Sequence, residues 1–168
     1  MAIVRLDKVH AGATGNIESV VVYNGAEALA DFANGLFVTL GELEGIGREV
    51  HKAEVTTAEN GITDEVLLVS APEITYDERI SLYDFKNEAG DVVRAYYLTE
   101  GDVFTFTKDI LPSNVAVGQT LVAGADGKLV AGTGSPKIAF EVIEDCGNEL
   151  TLRDGSFALK VVKNVTIA

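Results

Sequence analysis

Several residue types that mark particular protein classes are scarce or absent. The chain of 168 residues has no tryptophan, one methionine, one cysteine and three prolines. A single thiol cannot form an internal disulfide, which excludes a small secreted scaffold held together by disulfides. No apolar run approaches the length of about 20 residues that spans a membrane, and charges interrupt the N-terminal positions that a signal peptide would keep apolar. We therefore expect neither a signal peptide nor a membrane helix.

Positive charge is also scarce. There are 13 basic residues against 26 acidic ones, which gives a net charge of −13. A chain with this balance is repelled by phosphate backbones and by anionic lipid headgroups. We expect no nucleic-acid partner and no membrane partner, and an acidic surface that favours solubility.

Nucleotide-binding motifs are incomplete in the stretch that most resembles one. VGQTLVAGADGKLVAGTG, residues 117–134, contains five glycines. A Walker loop needs serine or threonine directly after Gly-Lys and a second glycine five positions before that glycine. Here Leu129 follows Gly127-Lys128, and Val122 stands five positions before Gly127, so both requirements fail. The dinucleotide pattern fails too, because Gly132 and Gly134 lack the third glycine. The interpretation that fits is a hairpin, with Asp126-Gly127 as the turn between TLVAG and KLVAG.

Other chemical signatures are equally incomplete. His10 and His51 are far apart in the sequence and lie outside any HExxH arrangement. Acidic neighbours are expected to raise the pKa of Cys146, the opposite of what a nucleophilic thiolate needs. The adjacent pairs Asp77-Glu78 and Glu144-Asp145 are interpreted as solvated surface, because neighbouring side chains on a strand face opposite sides. We predict no catalytic residue, no cofactor-binding residue, no metal ligand and no cofactor.

Apolar and polar residues alternate with a period of two through most of the chain. The stretch 157–167 alternates as a half-buried strand does, and so does 149–154. Asp154-Gly155 between them is a hairpin signal, and 138–145 is a third strand-like run. The last thirty residues therefore predict a three-stranded meander. Further strand-like runs are 3–9, 17–23, 36–41, 51–57, 65–70, 92–98, 103–108, 120–124 and 128–132.

Helical patterns are short by comparison. Residues 26–33 contain helix formers and precede Asn34-Gly35, a typical C-terminal cap. Residues 77–87 have mixed spacing that allows one or two helical turns. The predicted fold class is mainly β: a small antiparallel barrel or sandwich with one or two short helices. We expect a single β-rich domain over 1–168, with two lobes at about 1–71 and 91–168, joined by 72–90, as the alternative.

Four stretches together resemble a known class of proteins. They are REVHKAEVTTA (48–58), DEVLLVSAPEITYDER (64–79), DFKNEAGDVVRAYYLTEGDVFTFT (84–107) and DILPSNVAVGQTLVAGADGKL (109–129). This pattern resembles small structural proteins encoded beside the major capsid gene in tailed phages and prophages of Gram-positive bacteria. The C-terminal part is similar to small β-rich capsid cement proteins.

The resemblance implies a function without catalysis. It implies a decoration or cement protein that binds the outside of an assembled shell, with the major capsid protein as partner. It also implies a homo-oligomer, with a trimer as one form, located on the virion surface and in the bacterial cytoplasm during assembly. Two alternatives remain open: a tail or receptor-binding β module, and a small β-barrel carbohydrate-active enzyme that uses a pair of carboxylates.

Overall fold

The computed structural model describes residues 3–9, 16–45, 48–74, 79, 84–150 and 155–167. Within these ranges the chain is mainly β, which confirms the predicted class. The described strands are β1 (Val4–Lys8), β2 (Ile17–Asn24), β3 (Glu27–Ala28), β4 (Phe37–Leu43), β5 (Val50–Val55), β6 (Val66–Val69), β7 (Val93–Tyr97), β8 (Val103–Thr107), β9 (Thr120–Ala123), β10 (Leu129–Ala131), β11 (Ile138–Gly147) and β12 (Ser156–Lys163). The helical elements in the described ranges are the single turn α1 (Asn60–Thr63) and the 3₁₀ turns Lys108–Ile110 and Ala125–Gly127, and Asp84 also has a 3₁₀ conformation.

Five strands close into a barrel in the order β2-β5-β4-β6-β7, and β7 pairs back onto β2. The short strand β3 extends this sheet beside β2. The pairings are antiparallel except for β2 with β5, which run parallel. Closure removes the exposed edges that an open sheet of these strands would carry.

The other six strands form an open sheet in the order β1-β8-β12-β11-β9-β10. Its longest pair is the hairpin of β11 and β12, in which Val142 lies opposite Leu159. The odd positions of β12 face the core, as the alternation predicts: Phe157, Leu159 and Val161 are buried. Strand β12 ends at Lys163, and Asn164 adopts a left-handed backbone conformation with φ of 52°.

Two hydrophobic clusters share the strands β4 and β6. Leu67 and Val69 point into the barrel, where they pack with side chains of β2, β5 and β7. Val66 and Leu68 point the other way, into the cluster formed with the open sheet. All four residues of β6 are therefore buried, because the strand has a core on each face.

Aromatic rings dominate the cluster between the barrel and the open sheet. Phe37 of β4 lies 5.0 Å from Phe140 and 5.9 Å from Phe106, measured between ring centroids. Phe104 stacks beside Phe106, with their ring centroids 5.9 Å apart. Since Phe37 belongs to the barrel and the other rings to the open sheet, this contact fixes the two sheets against each other.

Close backbone approaches also join the two sheets. A Cβ at Gly61 in α1 would lie 2.7 Å from the carbonyl carbon of Ala123 in β9, and closer still to its oxygen. The hydroxyl of Thr56, which follows β5, donates a buried hydrogen bond of 2.7 Å to the Gly124 carbonyl. Gly127 packs against the backbone of Phe37 and has φ of 67°, which favours glycine. The hairpin of β9 and β10 thus docks its tip on the barrel.

Some local predictions are wrong or fall outside the described residues. The predicted helix 26–33 is absent; Glu27–Ala28 forms β3, and the Leu29 amide donates to the Val22 carbonyl. Pairing with β2 outweighs the helix propensity of a two-turn segment. In the predicted strand 149–154, Glu149 and Leu150 form a bend and residues 151–154 lie outside the described residues, as does most of the segment 77–87.

The division into lobes stays a prediction. Strand β1 belongs to the open sheet, although it comes from the first proposed lobe. Strand β7 closes the barrel, although it comes from the second. Each sheet therefore takes strands from both sides of residues 72–90.

Candidate functional site: a groove between the barrel and the hairpin tip

A groove of about 470 Å³ opens where the hairpin tip meets the barrel. Its volume is in the range usual for ligand-binding clefts, and its position between two packed sheets is a common one. Four segments that are distant in the sequence form it. The lining residues are Asn24, Leu29, Ala30, Asp31, Phe32, Ala33, Asn34, Leu36, Val55, Asp109, Ile110, Asp126 and Lys128.

The floor of the groove is apolar and belongs to both cores. Phe32 and Val55 are buried members of the barrel cluster. Ile110, from the 3₁₀ turn after β8, is a buried member of the cluster beneath the open sheet. Leu29 and Leu36 are half-buried and pack against the barrel cluster. The floor is thus supported from two sides and presents aliphatic and aromatic surface to the opening.

The rim of the groove is acidic. Asp31, Asp109 and Asp126 are exposed and stand around the apolar floor, with Lys128 as the one cationic side chain in the lining. Lys86, outside the lining, lies 3.8 Å from the Asp31 carboxylate in an exposed ion pair. With Lys86 counted beside Lys128, three carboxylates stand against two ammonium groups, which leaves a formal charge of about −1 at the groove. The groove therefore favours a cationic group above an apolar one.

Two of the rim aspartates have backbone conformations that few residue types adopt. Asp31 has φ of 53° and Asp126 has φ of 57°. Aspartate and asparagine tolerate this left-handed region better than other residues with a Cβ. The local turns therefore restrict both positions to few residue types.

Buried amides hold the barrel side of the groove in place. The Asn34 side chain donates hydrogen bonds to the Ala71 carbonyl at 2.8 Å and to Glu73 at 3.1 Å. It also accepts from the Ala71 amide at 2.9 Å. The Asn87 side chain donates to the Phe32 carbonyl. Burial raises the pKa of Glu73, and the hydrogen bond from Asn34 opposes that rise.

A second polar cluster lies outside the groove, on the surface of β2, β4 and β5. The Tyr23 hydroxyl donates a hydrogen bond to Glu44, which raises the pKa of Tyr23. The Lys52 ammonium lies 3.8 Å from both Glu42 and Glu44, and 5.8 Å from the Tyr23 ring centroid. These contacts link neighbouring strands of the barrel.

The glycine-rich stretch forms the predicted hairpin. Strand β9 pairs with β10 in antiparallel register, with Ala123 opposite Leu129. The turn Ala125–Gly127 lies between them. The structure adds what the sequence did not indicate: this turn supplies Asp126 and Lys128 to the groove.

The residues that the sequence offers as a possible nucleophile or metal ligands lie apart from the groove. Cys146 is half-buried near the end of β11. Burial raises its pKa, and Glu144 and Glu149 raise it further, which confirms the expected direction. His51 lies in β5 with its Nδ1 atom 3.1 Å from the Gly41 carbonyl oxygen. His10, Asp77 and Glu78 lie outside the described residues.

The described ranges contain neither a cluster of metal-binding side chains nor a membrane-spanning helix. No three histidine, cysteine, aspartate or glutamate side chains there form a group that could hold a metal ion. No helix in the same part of the chain has the length and hydropathy to cross a membrane.

Comparisons with known proteins give the chain no relative. No protein-family model, no curated protein and no solved structure matches it significantly.

Proposed function

We propose that the protein is a non-enzymatic virion protein that binds and stabilises the outside of a tailed-phage capsid. One observation carries this proposal. The four stretches that resemble small structural proteins of tailed phages supply β5 to β9 and the start of β10. These strands belong to both sheets and include β6, which has a core on each face. The resemblance thus involves core strands of both sheets and is not confined to a single loop.

The architecture suits binding to a lattice. The closed barrel and the open sheet share a core, so docking orders little of the described chain and costs little conformational entropy. Many weak contacts with a repeating shell add up through avidity. The net charge of −13 keeps closely spaced copies soluble. The proposed partner is the major capsid protein, and the proposed form is a homo-oligomer such as a trimer.

Co-sedimentation tests this proposal. Expanded shells assembled from the capsid protein of the same phage or prophage are mixed with the purified protein at several salt concentrations. We expect saturable binding with a fixed ratio of copies to shell subunits. An unrelated acidic protein of similar size, which should stay in the supernatant, is the control. Absence of binding at every salt concentration contradicts the proposal, and rings or fibres of the protein alone in electron micrographs point to a tail component.

The groove supports a second candidate function, a carbohydrate-active enzyme. Such enzymes place two carboxyl groups in a cleft, and the rim carries Asp31, Asp109 and Asp126. The assay is hydrolysis of peptidoglycan and of soluble polysaccharides by the purified protein. This candidate predicts turnover that Asp126→Asn or Asp109→Asn abolishes. The capsid proposal predicts no turnover by the wild-type protein.

A further inference from the structure

We infer that the groove is the surface that contacts the shell, and that it takes a segment of the shell protein in which lysine or arginine stands beside an apolar side chain. This inference rests on the proposed function and specifies where and how binding occurs. It is carried by the groove itself, whose apolar floor and acidic rim belong to four segments held together by the fold.

The chemistry of the occupant follows from the arrangement of floor and rim. Lysine and arginine have aliphatic stems that pack on apolar surface while their charged ends remain among polar groups. Leu29 and Leu36 offer half-buried aliphatic surface for such a stem. Asp126 offers a carboxylate for the charged end, and Asp31, which also lies 3.8 Å from the Lys86 ammonium, offers a second. A neighbouring apolar side chain of the same segment would cover the rest of the floor.

The charge of the chain disfavours a second copy as the occupant. Each copy carries 26 acidic and 13 basic residues, so the average surface of a second copy is a poor electrostatic match for an acidic groove, and the proposed oligomer would form through other surfaces. The lining is itself acidic, and Lys128 is its one cation. Electrostatic complementarity therefore favours a partner that is basic at the contact.

The decisive variants remove charge without changing the backbone. In the double variant Asp31→Asn with Asp126→Asn, asparagine retains the size of aspartate and tolerates the φ values of 53° and 57°. The matched control is Glu100→Gln with Glu141→Gln, two exposed residues outside the groove lining. Both double variants remove two carboxylates from the total of 26, so the net charge changes equally, from −13 to −11.

A second pair of variants tests occupancy without changing charge. Ala30 is exposed and lines the groove, so Ala30→Trp places a large ring in the opening. Ala116 is also exposed but lies outside the lining, and Ala116→Trp is its control. Circular dichroism and thermal unfolding of each variant establish that it is folded before binding is measured.

Co-sedimentation with expanded shells at about 0.1 M salt gives the readout. We expect the Asp31→Asn, Asp126→Asn variant to bind shells roughly tenfold more weakly than the wild type, because each interfacial charge contact contributes a few-fold to affinity. Its binding should also be less sensitive to added salt, since the screened contacts are gone. Ala30→Trp should weaken binding at least as much, and both control variants should bind as the wild type does.

The remaining outcomes separate this inference from the proposed function. If the wild type binds shells and both groove variants bind equally well, the groove is not the contact, while the proposed function stands. If the two charge variants weaken binding equally, general charge accounts for the loss and the inference is wrong. If the groove variants alter self-association in sedimentation velocity, a second copy is the occupant instead. If the wild type does not bind shells, the proposed function fails and this inference fails with it.

Discussion

Replacing Gly61 with alanine is expected to destabilise the protein, although helix propensity alone predicts the opposite. Alanine is favoured over glycine by about 1 kcal/mol within a helix, and this preference already includes the smaller backbone entropy that alanine loses on folding. Gly61, however, lies where α1 touches β9, and a Cβ there would be 2.7 Å from the carbonyl carbon of Ala123. A backbone group in a paired strand cannot move away as a flexible side chain can.

The magnitudes favour the steric effect. Overpacking typically costs about 1–3 kcal/mol, and an overlap with strand backbone is at or above the upper end of that range. Subtracting the helix gain of about 1 kcal/mol from a steric cost of about 3 kcal/mol leaves a net loss of about 2 kcal/mol in the free energy of unfolding. For a chain of this length, that loss corresponds to a decrease of about 4–8 °C in Tm.

Urea unfolding followed by circular dichroism measures the effect. The control is Gly118→Ala: Gly118 has φ of 85° and no neighbour within 4 Å of an added Cβ, so backbone strain alone applies there. We expect that control to lose about 1 kcal/mol, which is less than the loss at Gly61. A Gly61→Ala protein as stable as the wild type, or more stable, would refute the close contact between α1 and β9.

Three further experiments test a buried hydrogen bond and two groups whose pKa values are raised. Thr56→Val should lower the free energy of unfolding by about 1–3 kcal/mol in urea titrations, because the buried Gly124 carbonyl loses its hydrogen bond from the Thr56 hydroxyl; an unchanged midpoint contradicts this. Glu73 has a raised pKa, so the folded state binds its proton more tightly; this group's contribution to stability is fully present below the ordinary glutamate pKa and is lost as pH rises through the raised pKa of the folded state. Glu73→Gln should therefore gain stability relative to the wild type between about pH 4 and pH 7; a gain that shrinks with rising pH contradicts the sign. Cys146 should react with a disulfide reagent more slowly at pH 8 than a small free thiol does, because its pKa is raised; a faster reaction contradicts the expected environment.

Short-range patterns allowed most strands to be predicted, because alternation and turn residues act over a few positions. The run 65–70 was recognised as a strand, and β6 spans Val66–Val69 within it. The turn at Asp126-Gly127 was recognised for the same reason. The helix predicted for residues 26–33 is absent because a tertiary pairing decides their conformation: Glu27–Ala28 forms β3 beside β2.

Long-range arrangement was beyond the sequence alone. Val4 of β1 pairs with Phe106 of β8, about a hundred residues away, and no local pattern encodes that pairing. The parallel contact of β2 with β5, which the closed barrel requires, is also nonlocal. The groove depends on the packing of the two sheets, because Asp31 follows β3 of the barrel sheet and Asp126 lies in the hairpin tip of the open sheet. No motif in the sequence indicates that Asp31 has a positive φ.

Cryo-electron microscopy of expanded shells saturated with the protein tests the central claim most directly. The account predicts added density at regular lattice positions on the outer surface, into which the barrel and the open sheet fit together with the groove facing the shell. Bare shells at saturating protein, or density that contacts the shell only through surfaces away from Asp31 and Asp126, would contradict it.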